Sequence, residues 1–255
     1  MIMWRGLAVS LALGLLAGSL GPWSASAQAQ YPAWFRSMRS SGQGLWAVGY
    51  ARRYSALRAG MDSAKADAYE RLRRDRGMTM RGEKLYESAP GSQTSFEGAR
   101  FAETGLVDTL RSVRYVDSLN AAGMTLVLAV WTPEDSSRNE SVPRGRGPFS
   151  EASPPWIRAE MESGSEVVRA VGRSARYYYL QNSWRRAEER ARQRLAFTAA
   201  TKIRRLEKST GDWRHDVTSI QTKVRLRRVQ TLARWADEER CYVLVEGTVE
   251  DVLIE

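Results

Sequence analysis

Cysteine and histidine each occur once in the 255 residues, as Cys241 and His215. A single thiol excludes an internal disulfide and any Cys-cluster zinc site, and a single imidazole leaves most metal sites and acid–base relays short of members. Also missing are a Gly-x-Ser-x-Gly elbow, a phosphate loop ending in Gly-Lys-Ser/Thr and a His-Glu-x-x-His pair. His215 beside Asp216 is the one base-and-orienter pair, and adjacent residues do not orient one another as a triad requires, so His215 reads as a surface or loop residue. No catalytic, cofactor-binding or metal-ligating residue is assigned, no small-molecule substrate is evident, and the chain reads as a non-enzyme. Long apolar runs are confined to the first 27 residues, and no later segment approaches the ~18 apolar residues of a membrane span.

What the chain does have is positive charge. Lys and Arg total 39 against 29 Asp and Glu, a formal +10, while 43% hydrophobic residues suffice for a buried core. Such an excess favours anionic partners. The first segment places that charge outside the cytoplasm. Arg5 precedes an apolar stretch from Leu7 to Leu20, and Ala25-Ser26-Ala27 has the small-x-small pattern of a signal-peptidase site. Cleavage after Ala27 is expected, giving a periplasmic or secreted protein. Export makes nucleic acid a poor candidate and lipid headgroups, wall polymers or acidic proteins better ones. Cys241, inside the strand-like run Cys241-Tyr242-Val243-Leu244-Val245, reads as a buried, inert thiol.

The chain repeats itself. Placing Ala47-Val48-Gly49 on Ala170-Val171-Gly172 also brings Leu57, Met61, Ala64, Ala68 and Leu72 onto Leu180, Trp184, Ala187, Ala191 and Leu195. All but the Met61–Trp184 pair are identical in type, and their spacing is the apolar stripe of an amphipathic helix. Upstream, Pro32-Ala33-Trp34-Phe35 resembles Pro154-Pro155-Trp156-Ile157; downstream, Arg114-Tyr115-Val116-Asp117 resembles Arg234-Trp235-Ala236-Asp237. A run of strand formers closes each copy (Thr125–Val130 and Tyr242–Val245), with turns at Asn120–Gly123 and Asp237–Glu239. The expected fold is α+β: two tandem repeats, each a long helix packed on a small antiparallel sheet. The expected divisions are a signal peptide over 1–27, a first repeat over 28–131, a linker rich in Pro, Gly and Ser over 132–155, and a second repeat over 156–255. In the second copy the helix is expected to continue to about Lys208 and end at Gly211. In the first, a loop around Ser88–Ser95 is expected to precede another helix near Phe96–Leu106.

The order Pro-Trp, Val-Gly, alanine-punctuated helix and terminal hairpin resembles the LPP-twenty lipoprotein-like domain family, once in each half. It is also similar in outline to the N-terminal domain of flagellar assembly protein T. Its carriers are Trp34, Gly49, Ala64, Ala68 and Leu72 in one copy and Trp156, Gly172, Ala187, Ala191 and Leu195 in the other. The resemblance implies a small exported cell-envelope module with no catalytic residues, and the expected role is assembly or scaffolding through protein–protein contacts, with an envelope protein or further copies of itself as partner. Leu16-Ala17-Gly18-Ser19 resembles a lipobox with serine where the lipidated cysteine belongs, so no lipid anchor is expected.

The strongest binding signal lies at Gln221 to Arg228. Lys223, Arg225 and Arg227 alternate with Val224 and Leu226, which on a strand sets three cations on one face, and Arg228 before Val229 breaks the alternation as a bulge would. That face suits a polyanion: anionic lipid, wall polymer or an acidic protein groove. The competing reading is a solvated edge strand kept from aggregating by its charges. Trp131 and Trp235, at hairpin positions, are candidate protein contacts. The mixed charges from Arg185 to Arg194 read as a solvated helix face with i,i+4 pairs, and Tyr177-Tyr178-Tyr179, where strand passes into helix, as core or rim packing.

Overall fold

The structure, a computed structural model, describes residues 31–38, 44–53, 56–85, 100–105, 110–133, 142, 144–158, 167–208 and 219–254. A two-residue strand β1 (Tyr31–Pro32) and one helical turn α1 (Ala33–Arg36) precede β2 (Leu45–Arg52), α2 (Leu57–Arg76), β3 (Gly77–Leu85), β4 (Arg100–Gly105), β5 (Val113–Ala121) and β6 (Met124–Trp131). A short β7 (Arg146–Gly147) and a 3-10 turn (Pro155–Ile157) lead to β8 (Val167–Ala175), α3 (Leu180–Lys208), β9 (Ser219–Ala236) and β10 (Arg240–Ile254). The chain is therefore mixed α+β, with antiparallel sheets. The segment through Ala27, His215 and Gly211 lie outside the described residues.

Both halves set their first strand beside their last. The orders are β2-β6-β5 in a three-stranded sheet and β8-β10-β9 within a five-stranded one. Gly49 pairs with Val127 across β2 and β6, and Gly172 with Val243 across β8 and β10. Each glycine lies under a helix. A Cβ on Gly49 would sit 1.9 Å from the Ala64 carbonyl oxygen and 2.6 Å from the Ala68 amide nitrogen. One on Gly172 would sit 1.9 Å from the Ala187 oxygen and 2.3 Å from the Ala191 nitrogen. Backbone against backbone leaves no room for a side chain, so these positions must be glycine for helix and strand to approach so closely. Ala64, Ala68, Leu72, Ala187, Ala191 and Leu195 are all fully buried along that line of contact. The expected stripe fails at its first member: Leu57 is 61% exposed, whereas Leu180 is half-buried against the main core. Leu57 opens its helix one turn before the sheet reaches over it, and helix periodicity does not report where the opposing surface ends.

Local turn chemistry closes both hairpins. Ala122 (φ 49°) and Gly123 (φ 73°) take the left-handed conformation that a two-residue hairpin turn requires. Asp237 closes the other, its Oδ1 accepting from the Glu239 and Arg240 amides at 2.9 and 2.6 Å. The helix expected near Phe96–Leu106 is instead a strand over Arg100–Gly105. β4 pairs with β3, and β3 pairs with the N-terminal part of β9. The five-stranded sheet, in order β4-β3-β9-β10-β8, thus contains two strands from the first half. The divisions read from composition therefore do not mark separate sheets. The Pro-, Gly- and Ser-rich stretch over 144–155 is packed on the fold: β7 pairs with β1, and the Phe149 ring lies 4.8 Å from Tyr31 and 5.8 Å from Trp184. Pro, Gly and Ser show where a chain turns, not what it then packs on.

One main core joins the halves. The face of the three-stranded sheet away from α2 carries Trp46, Val48, Tyr50, Leu126, Leu128 and Val130 into a cluster with Phe35, Trp184 and Val229. Within that sheet β2 and β6 are buried on both faces, as their unbroken apolar runs require, while β5 at its edge is exposed or half-buried. β8 alternates exposed and buried residues, because only one of its faces is covered.

Candidate functional site

Lys223, Arg225 and Arg227 project from the outward face of β9, while Val224 and Leu226 are fully buried behind them. The alternation is as the sequence predicts, and so is the break: Arg228 has a φ of 50° where β9 slips register against β10. The setting differs from the competing edge-strand reading. β9 is interior here, bonded to β10 on one side and β3 on the other, with Lys223 opposite Arg81 and Arg225 opposite Thr79. Arg81 is exposed and on the same face, so four cations share the surface. Glu250 pairs with Arg227 at 2.5 Å and Asp251 lies opposite Arg225, which offsets part of the charge. Both pairing partners of β9 are already in place along this stretch, so its cations are not needed to block an open edge.

A second set of charges is buried, and the sequence reading missed it. Glu188, 1% exposed on α3, accepts hydrogen bonds from the Tyr50 hydroxyl at 2.6 Å, from Arg234 Nη2 at 2.8 Å and from Arg71 Nη1. Arg192, one helical turn on, donates to Asp75 Oδ1 at 2.8 Å and Oδ2 at 3.1 Å. Arg71 also donates to Asp67 at 2.8 Å, whose Oδ2 accepts the Tyr50 amide at the same distance. Arg234 Nη1 reaches the Phe35 carbonyl at 3.1 Å. Arg71, Arg192 and Arg234 thus meet Asp75 and Glu188 in the interior across α2, α3 and β9, with half-buried Asp67 at the edge, where Arg185 also pairs with it at 3.1 Å. Burial lowers the pKa of Arg71 and Arg234, and it raises that of the Tyr50 phenol against the pull of both guanidinium groups. Tyr50 therefore donates as a neutral phenol. Removing one member would leave an opposite charge buried alone, so the cluster fixes how the halves meet.

Of the Arg185–Arg194 face, the expected solvated pairing holds for exposed Arg186, bonded to Glu189 at 2.8 Å, but not for Glu188 and Arg192. Opposite signs at i, i+4 and i+8 on α2 (Asp67, Arg71, Asp75) facing Glu188 and Arg192 on α3 were the signal available. It becomes legible only when the two helices are known to be neighbours.

The tryptophans sort differently from expectation. Trp34 is structural, 1% exposed with its Nε1 donating to Asp117 at 2.7 Å. Trp131 is half-buried against a side cluster, with the Arg76 guanidinium 4.6 Å over its ring. Trp235 offers little surface to a protein partner: it is 7% exposed, and its Nε1 donates to the Ser150 carbonyl at 2.9 Å. Trp156 is half-buried on the 3-10 turn. The three tyrosines are not packed inside, since Tyr177, Tyr178 and Tyr179 are 46%, 94% and 42% exposed. Arg52 from the other half donates to the Tyr179 hydroxyl at 3.3 Å and lies over its ring. Cys241 is buried, and burial pushes its thiol up to about 12, which leaves it protonated and unreactive near neutral pH.

Among the described residues no group of three or more His, Cys, Asp or Glu side chains is placed to hold a metal ion, and no helix is long and apolar enough to cross a membrane. No protein-family model, curated protein or solved structure matches the chain.

Proposed function

We propose that this is a non-catalytic, exported cell-envelope protein of two copies of one β-α-β-β unit, which serves in assembly or scaffolding by docking an anionic partner on its outward sheet face. The observation that carries the docking face is the placement of Lys223, Arg225 and Arg227 beside Arg81 on strands interior to a sheet, where edge protection gives no reason for them. Duplication is supported by the matched glycine–alanine contacts and the common strand order of the halves. The sequence resemblance to the LPP-twenty lipoprotein-like domains and the N-terminal signal support the envelope setting, periplasmic or secreted without a lipid anchor.

Binding to vesicles containing anionic lipid, to wall polymer and to envelope extracts, measured from low to moderate salt, tests the reading. Electrostatic docking predicts steep weakening with salt and loss in the double variant Arg225→Glu/Arg227→Glu, with folding unchanged. Binding that survives both salt and charge reversal favours a second reading, contact with a protein or another copy through Tyr177–Tyr179, which Tyr178 at 94% exposure supports.

A further inference from the structure

The outward face of the five-stranded sheet has another feature at its opposite end. The chain from Pro148 to Ile157 crosses in front of β9 and β10, held by the Trp235–Ser150 hydrogen bond and by Phe149 in the main core. It does not fill the space beneath it. A groove of about 520 Å³ remains, walled by Met38, Phe149, Trp156, Trp235 and Leu244. That volume lies within the range of small-molecule sites, and the walls are the apolar and aromatic kind such sites use.

Three arginines line the same groove, and Arg234 is already bonded to Tyr50 and Glu188. Arg169 is matched by Glu246, its Nε donating at 2.7 Å. Arg36 is not: its Nη1 donates to the Pro148 carbonyl at 3.1 Å, its Nε–H has no hydrogen-bond partner, and it forms no ion pair among the described residues. A half-buried guanidinium with unspent donors beside an apolar wall complements a ligand with an anionic end and an apolar body. A plain hydrocarbon would leave the cation unanswered, and a free anion would leave the walls wet.

We propose that this groove binds a single-chain anionic amphiphile, an alkyl chain ending in a carboxylate or phosphate, with Arg36 at the headgroup and Trp156 and Trp235 along the chain. The site is separate from the basic surface at Lys223–Arg227, so either can fail without the other.

Laurate and dodecyl phosphate, titrated below micelle-forming concentrations and followed by calorimetry and tryptophan fluorescence, test it. The expected result is saturable one-to-one binding of both, not displaced by inorganic phosphate and retained in the Arg225→Glu/Arg227→Glu variant. Ala233→Trp, which fills the groove from an outward sheet position, should weaken binding at least tenfold. Arg36→Gln should weaken it by a similar factor and remove the preference over decanol. Circular dichroism checks that each variant is folded; should Ala233→Trp not fold, Leu244→Phe narrows the same wall and takes its place. Absence of saturable binding, or affinity unchanged in a folded groove-filling variant, overturns the proposal. Loss on filling the groove with no loss in Arg36→Gln overturns the anionic class of ligand.

Discussion

The first and second halves follow one strand order, yet their sheets meet different fates. On β2 the residues pointing away from the helix are Trp46, Val48 and Tyr50, all buried; the positions aligned with them on β8 are Arg169, Val171 and Arg173, of which both arginines are exposed. The first sheet gives its second face to the interior of the molecule, and the second sheet turns the same face outward. A similar divergence separates Arg114, exposed on β5, from Arg234, buried at the Glu188 cluster. Under the duplication proposed above, a face sealed in one copy is left open in the other, and the groove and the basic strand both lie on the open one.

The comparison breaks first at the charge cluster. Glu188→Ala strands Arg71 and Arg234 in the interior, so urea unfolding should show a loss of about 3–5 kcal/mol. Glu189→Ala, one residue along on the exposed side, should change stability by less than about 0.5 kcal/mol. Equal effects would mean the halves are not locked by this cluster.

Next come the glycines. Gly49→Ala and Gly172→Ala each drive a methyl into helix backbone, and each should cost about 1–3 kcal/mol or more, by similar amounts, in thermal or urea melts. A large cost in one and none in the other would separate the halves that their geometry equates. The smallest effect sharpens the point at which they differ. Leu57→Ser should be neutral within about 0.5 kcal/mol, whereas Leu180→Ser, half-buried against the main core, should cost on the order of 1 kcal/mol by the same measurement.

Much of this architecture was legible in the sequence, for a physical reason. Helix stripe, hairpin turn and the bulge at Arg228 are set by neighbours a few residues away, and periodicity records them. The extent of α3 to Lys208 could be read in the same way. What could not be read depends on distant partners. β3 and β4 join the sheet of the other half, so their residues carry no local mark of it. Glu188 and Arg192 have the spacing of a solvated face and become buried only because Asp75, Arg71 and Arg234 arrive from elsewhere. Trp235 is mostly covered by a strap 85 positions earlier in the chain. The basic strand was found by its alternation, while its interior position, which sets aside the edge-strand reading, came from pairing alone.

The most direct test of the account is to cut the chain between the halves. With a specific protease site placed in 134–141, the nicked protein should stay associated through gel filtration and unfold in a single calorimetric transition, since the halves share a sheet, a core and the Glu188 cluster. Two folded fragments that separate, or two independent transitions, would contradict it.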